Sequence, residues 1–203
     1  NLCLSGGVAL NCVVNGKLLE EKVFDNIWIQ PASGDAGSSL GAALIGFYEY
    51  KQKSRIINPN DSMKGTYLGC EYSNNEIIIY LRKINAPFKT LDDEDLFEKL
   101  AMHLDQGKII GWFSGAMEFG PRALGGRSII GDPRNQNMQS IMNLKIKYRE
   151  SFRPFAPSIL EEDVSTQFDL KEKSPYMLLV AQVDKKLCKK MSESEKKLFG
   201  IEK

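Results

Sequence analysis

Read for apolar and polar positions, the first fifty of these 203 residues repeat one pattern of strand, glycine turn and helix. An apolar run, Leu2 to Leu4, meets the double glycine Gly6-Gly7, and a helix-period pattern follows to about Glu21. "NIWIQP" reads as a strand closed by Pro31. The turn "ASGDAG" then leads into a helix of small residues from about Ser38 to Tyr50, where Gly41, Ala42 and Ala43 permit close packing. This is an α/β pattern.

Residues 51–65, "KQKSRIINPNDSMKG", are polar and turn-rich, and read as a linker. Beyond them Ser73 and Glu76 stand at capping-box spacing, ahead of a helix that puts Ile77, Ile78, Leu81 and Ile84 on one face. Asp92 to Gln106 predicts a second amphipathic helix, carrying Leu96, Phe97, Leu100 and Leu104 and stopped by Gly107. "KIIGWF" predicts a buried strand. A short helix near Asn137 to Tyr148 and two strands, "FAPSIL" and "YMLLVAQV", complete this half.

The net charge of +1 excludes a polyanion binder acting through the whole surface, so any basic patch is local. Four widely spaced cysteines, Cys3, Cys12, Cys70 and Cys188, suit reduced, mostly buried thiols in a cytoplasmic protein. One histidine, His103, excludes a histidine-based zinc site, and its place in an amphipathic helix gives it a structural role. No apolar run reaches the ~20 residues of a membrane span. The last stretch, residues 185–203, holds seven lysines and three glutamates and reads as solvated surface. The chain opens directly on a strand-like run and reads as a fragment of a longer polypeptide.

The charge is concentrated between Gly120 and Arg153, where seven cationic residues face two acidic ones. Arg122, Arg127 and Arg134 sit among glycines. Lys145, Lys147, Arg149 and Arg153 follow in "KIKYRESFRPFAP". Guanidinium forks grip oxyanions in bidentate fashion, and glycine lets main-chain N–H groups approach the same ligand. The two stretches read as two walls of one anion pocket, with Arg122 the foremost direct contact. Tyr148, Phe152 and Phe155 interleave with the cations, which keeps nucleic-acid binding open as a weaker reading.

Four segments in this order, "SGGVALN", "PASGDAGSSLGAAL", "MEFGPRALGGRSIIGDPR" and "KIKYRESFRPFAPSIL", resemble the O-carbamoyltransferases of the NodU/CmcH family. The match spans most of residues 1–160. It implies an α/β chain made of the tail of an actin/sugar-kinase-like domain, residues 1–55, and a partial YrdC-like domain, residues 64–203. It also implies a two-stage reaction: carbamoyl-adenylate forms from carbamoyl phosphate and ATP, and the carbamoyl group then passes to a hydroxyl of a small-molecule acceptor. By this resemblance Gly6, Gly7 and Asn11 contact nucleotide, and Asp35 supplies one ligand to iron or a similar divalent metal. Arg122, Lys145, Lys147 and Arg149 grip carbamoyl phosphate and the ATP phosphates, with Arg127 and Arg153 in secondary roles. The family's His-x-x-x-His metal pair and its later Asn-Thr-Ser-Phe-Asn-like segment are not in these residues, so both active sites are expected to be completed outside this chain. Two alternatives stay open. One is a threonylcarbamoyl-adenylate or tRNA-modifying relative; the other is a non-catalytic nucleotide- or RNA-binding module.

Overall fold

The computed structural model describes residues 1–194. The chain divides into two units that are interleaved in sequence. Unit 1 comprises residues 1–88, 112–128 and 173–180; of the described residues, 89–111, 129–172 and 181–194 belong to unit 2.

Unit 1 begins with the expected βαβ arrangement. Strand β1 (Leu2–Leu4) pairs in parallel with β2 (Ile27–Ile29), Leu2 opposite Ile27 and Leu4 opposite Ile29. Parallel neighbours require a crossover, and α1 (Cys12–Glu20) supplies it. A 3-10 turn, Gly7–Leu10, separates β1 from α1, so the single helix expected from Gly7 is broken at Asn11. Asn11 caps α1, its Oδ1 accepting from the Val14 N–H at 3.2 Å. Helix α2 (Asp35–Ile45) starts three residues earlier than its periodicity predicts and ends in a π turn, Gly46–Tyr50. Helix α3 (Asn74–Lys83) carries the capping box in full: Ser73 Oγ accepts from Glu76 N–H and Glu76 returns a bond to Ser73 N–H at 2.8 Å.

The expected linker is packed at its far end. Met63 and Thr66 are buried, and Asp61 accepts hydrogen bonds from the Tyr176 hydroxyl and the Met63 N–H. The hydroxyl bond is the main reason the Asp61 carboxyl lies below its ordinary range, while burial pushes Tyr176 up to about 12. Residues 66–70 then run beside 117–119. Phe119 N–H donates to Thr66 O at 2.7 Å and Gly69 N–H to Met117 O at 2.9 Å.

Two expected strands do not form. "FAPSIL" has no strand partner, and Pro157 within it and Pro154 just before it lack the N–H a ladder requires. "YMLLVAQV" is interrupted at Met177, whose φ of 52° is not extended, and the Leu178 carbonyl is taken by the Asn15 side chain at 3.0 Å. Only Val183 bridges, to Phe168. A strand the periodicity did not predict, β4 (Arg127–Ile130), pairs with β3 (Ile110–Phe113).

In unit 2, Asp92 caps α4 (Asp93–Asp105) through the Asp95 N–H at 2.9 Å. Met138, at the start of α5 (Met138–Ile141), and Met142 are its buried apolar residues. Both crowd Gly131, where a side chain would come within 2.8 Å of their sulfurs. A short helix, α6 (Val164–Gln167), follows. Three of the four cysteines, Cys3, Cys70 and Cys188, are exposed rather than buried, and Cys12 is half-buried. Part of the lysine-rich tail, residues 195–203, lies outside the described residues. Among the described residues no helix is long and apolar enough to cross a membrane.

Candidate functional site

An open cleft of about 500 Å³ in unit 1 is lined by Gly7, Leu10, Ser33 to Ala36, Gly120 and Pro121. Three sequence-distant turns make it. Gly7 and Leu10 belong to the 3-10 turn after β1. Ser33 and Gly34 form the approach to α2, where Ser33 Oγ donates to Gln30 O at 2.6 Å. Gly120 supplies the third wall, and only glycine serves there: its φ is +116°, and an added Cβ would sit 2.9 Å from that of Ala32. Asp35 is exposed in the first turn of α2, where the helix dipole favours a carboxylate. Gly34, not Asp35, is the N-cap.

The loop that delivers Gly120 is wrapped around a carboxylate. Glu118 has a side chain with 0% exposure. Its two oxygens accept from the Leu124 N–H at 3.1 and 3.2 Å and from the Gly126 N–H at 2.9 Å, and Arg127 Nε stands 3.4 Å away. Arg127 Nη2 donates to the carbonyls of Gly120 and Arg122, closing the loop from the other side. Arg122 Nη2 donates to Leu10 O at 2.7 Å, which ties the loop to the glycine turn; its Nε is buried without a partner. Gly126 lies flat against Tyr67, whose ring would meet a Cβ at 2.5 Å.

Unit 2 holds the second basic stretch. Asn143, with 0% exposure, sits in the π turn Met142–Ile146 that continues α5. Its Nδ2 donates to Ser151 O and Arg153 O at 3.0 and 2.8 Å, and its Oδ1 accepts from Arg149 Nε at 2.6 Å. The Arg149 guanidinium also lies over the Phe155 ring, 4.9 Å from its centre. Arg153 pairs with Glu150 at 2.9 Å, which holds the glutamate below its ordinary range. Arg134 is engaged by Asp132 and Asp105, both at 2.8 Å. Lys145 and Lys147 are exposed. Among the described residues the His103 ring meets Lys108 alone, 3.1 Å from its Nδ1.

The structure therefore brings Gly7, Asp35 and the Gly120–Arg122 segment together in unit 1, with Gly6 adjoining the cleft and Asn11 engaged as a cap. Lys145, Lys147, Arg149 and Arg153 belong to unit 2. Among the described residues no three His, Cys, Asp or Glu side chains group to hold a metal ion. Asp35 alone offers one donor, and these residues do not by themselves make a metal site.

Comparison with known proteins matches two stretches of the chain. The family model described as carbamoyltransferase N-terminus matches residues 1–44, and that described as carbamoyltransferase C-terminus matches residues 101–195. The chain belongs to the carbamoyltransferase family. An uncharacterized protein of Synechocystis is 58% identical over 205 residues, covering 100% of this chain and 33% of its own length. Nodulation protein NolO of Bradyrhizobium diazoefficiens is 43% identical over 90% of this chain and 33% of its own. Nodulation protein NolNO of Sinorhizobium fredii is 38% identical over 98% and 28%. The chain spans about a third of the length of the curated relatives it matches.

In this carbamoyltransferase chain the cleft draws on both matched segments, Gly7 and Asp35 from the first and Gly120 and Pro121 from the second. Two organising residues, Glu118 and Asn143, escaped the reading of the sequence. A count of charges from Gly120 onward leaves out Glu118, two residues upstream, although a carboxylate at the mouth of an arginine loop is its natural counter-ion. Asn143 gives no signal in composition, because an amide becomes informative only when its burial is known.

Proposed function

We propose that this chain is part of an ATP-dependent O-carbamoyltransferase that forms carbamoyl-adenylate from carbamoyl phosphate and ATP and passes the carbamoyl group to a hydroxyl of a small-molecule acceptor. Residues 1–55 are read as the end of an actin/sugar-kinase-like transfer domain and residues 64–203 as a YrdC-like, adenylate-forming domain. Family membership supports carbamoyl transfer. The observation that carries the finer reading is the state of Arg149: its Nε is held by a neutral amide, and among the described residues no hydrogen bond or ion pair engages its terminal nitrogens.

A guanidinium so held keeps its full charge and presents two parallel N–H donors to an oxyanion. Lys145 and Lys147 add mobile positive charge nearby in sequence. Water cleaves carbamoyl phosphate to carbamate and inorganic phosphate, and carbamate then attacks the α-phosphate of ATP and expels pyrophosphate. Together the three cations neutralise the charge on the departing phosphate and on the α-phosphate, a role in which positioning and electrostatics dominate. In unit 1, Gly6 and Gly7 let main-chain N–H groups approach a nucleotide. Asp35 is one oxygen donor to a divalent ion, iron or similar, whose remaining ligands come from outside this chain; such an ion polarises a carbonyl or activates a hydroxyl. Arg122 and Arg127 serve this scheme by shaping the cleft wall.

The test is exchange of labelled pyrophosphate into ATP by the full-length enzyme. Exchange that requires carbamoyl phosphate is the expected result. Exchange indifferent to carbamoyl phosphate, or none at all, contradicts the adenylate step.

A further inference from the structure

We infer that Asn143 is a positioning residue that sets the guanidinium of Arg149 for bidentate capture of two oxygens of a phosphate group, free or in carbamoyl phosphate. The inference rests on the reading of Arg149 as an anion-gripping residue and goes beyond it by naming what orients that residue. Three bonds leave the Asn143 side chain, and each uses a different capacity of the amide. Nδ2 spends both hydrogens on the carbonyls of Ser151 and Arg153, which fixes the turn that follows Arg149. Oδ1 takes the Nε hydrogen of Arg149. The main chain adds a fourth link, from Arg149 N–H to Asn143 O at 3.0 Å.

The guanidinium is thereby fixed along one edge by Nε and covered on one face by Phe155. What remains is the far edge of the guanidinium, where each terminal nitrogen carries one hydrogen directed away from the chain, and to which no hydrogen bond or ion pair runs among the described residues. That edge matches two oxygens of a phosphate. A carboxylate in place of the amide would also accept from Nε, but it would neutralise the arginine and turn its second oxygen, an acceptor, against the two carbonyls. An amide is therefore the side chain that orients this arginine while leaving it charged.

The experiment is a double-mutant cycle on the full chain, with Asn143→Ser, Arg149→Lys and the double variant, read as affinity for carbamoyl phosphate and for inorganic phosphate by calorimetry. Lysine has no Nε and cannot use the orienting bond. Each single variant is expected to bind about tenfold more weakly, and the double no more weakly than Arg149→Lys alone. If Arg149→Lys binds like the wild type, the anion-gripping reading falls. If Arg149→Lys weakens binding while Asn143→Ser has no effect, or the two losses multiply, only the positioning inference falls. A measurement on the unaltered chain guards against a variant that does not fold. The Arg149 Hε proton should exchange slowly with solvent in the NMR spectrum, and exchange at the rate of free arginine would overturn the inference.

Discussion

In unit 1 the loop 118–127 carries Arg122 and Arg127 around a buried carboxylate, whereas in unit 2 the turn 143–153 carries Lys145, Lys147, Arg149 and Arg153 around a buried amide. Cations of the same kind end in different employment. Arg127 is neutralised by Glu118 and caps two carbonyls, and Arg122 holds Leu10. The Arg127 charge is met by a buried carboxylate, and Arg122 is tied to the glycine turn by one bond to a neutral carbonyl. Asn143 fixes Arg149 as firmly but takes none of its charge, so that stretch stays positive toward solvent. On the proposed function, the charge of the organiser separates Arg127, paired inside its loop, from Arg149, left with its terminal nitrogens for a ligand.

The largest effect that would break this contrast is expected at Glu118. Replacing it with alanine strands Arg127, the half-buried N–H of Leu124 and the buried N–H of Gly126, at a cost of about 3 kcal/mol in urea unfolding. Glu118→Gln should recover only part, because both oxygens accept and an amide nitrogen cannot. Stability of Glu118→Ala equal to wild type would mean that the loop does not depend on its carboxylate. Next is Asn143→Ala, expected to cost about 2 kcal/mol through its lost hydrogen bonds and, unlike a change at Glu118, to weaken phosphate binding measured at a temperature where the variant is folded. Gly126→Ala sharpens the first half of the contrast. A methyl group driven into the Tyr67 ring should cost about 1–3 kcal/mol, visible as faster hydrogen exchange at position 126 and at Ser114, whose N–H donates to the Gly126 carbonyl at 2.9 Å in the wild type.

The smallest effect is a pH dependence in the Asp61–Tyr176 clamp, another place where unit 1 uses charge internally. The Tyr176 hydroxyl has its pKa raised from 10.0 to about 12, so its contribution is complete below pH 10 and lost as pH rises toward 12. Asp61 is lowered from 3.8, so its contribution is present above that value and lost as pH falls through the folded-state pKa. Tyr176→Phe should remove the alkaline loss and flatten the acid one, as read from the unfolding midpoint across the pH range. An unchanged alkaline limb would assign it to another group.

Local rules made much of the fold legible. The capping box at Ser73, the Asp92 cap and the parallel β1–α1–β2 start follow from residues close in sequence. The missing strands had the right composition but depended on distant partners: Asn15 takes the Leu178 carbonyl from across 163 residues. The same limit applies at the site. Gly7 and Asp35 were legible as turn chemistry, yet that Gly120 closes on Ala32 follows from a contact no spacing encodes. Reading the arginines as a single class also concealed that Arg122 and Arg149 have different neighbours.

The most direct measurement is calorimetric titration of the chain with carbamoyl phosphate, comparing wild type, Arg149→Ala and Arg122→Ala, with a short RNA as control. Loss of binding by about tenfold or more in Arg149→Ala, with Arg122→Ala less stable but similar in affinity, is the expected result. Loss in Arg122→Ala alone, or binding of RNA in place of carbamoyl phosphate, would contradict the division of scaffold from ligand-facing arginine.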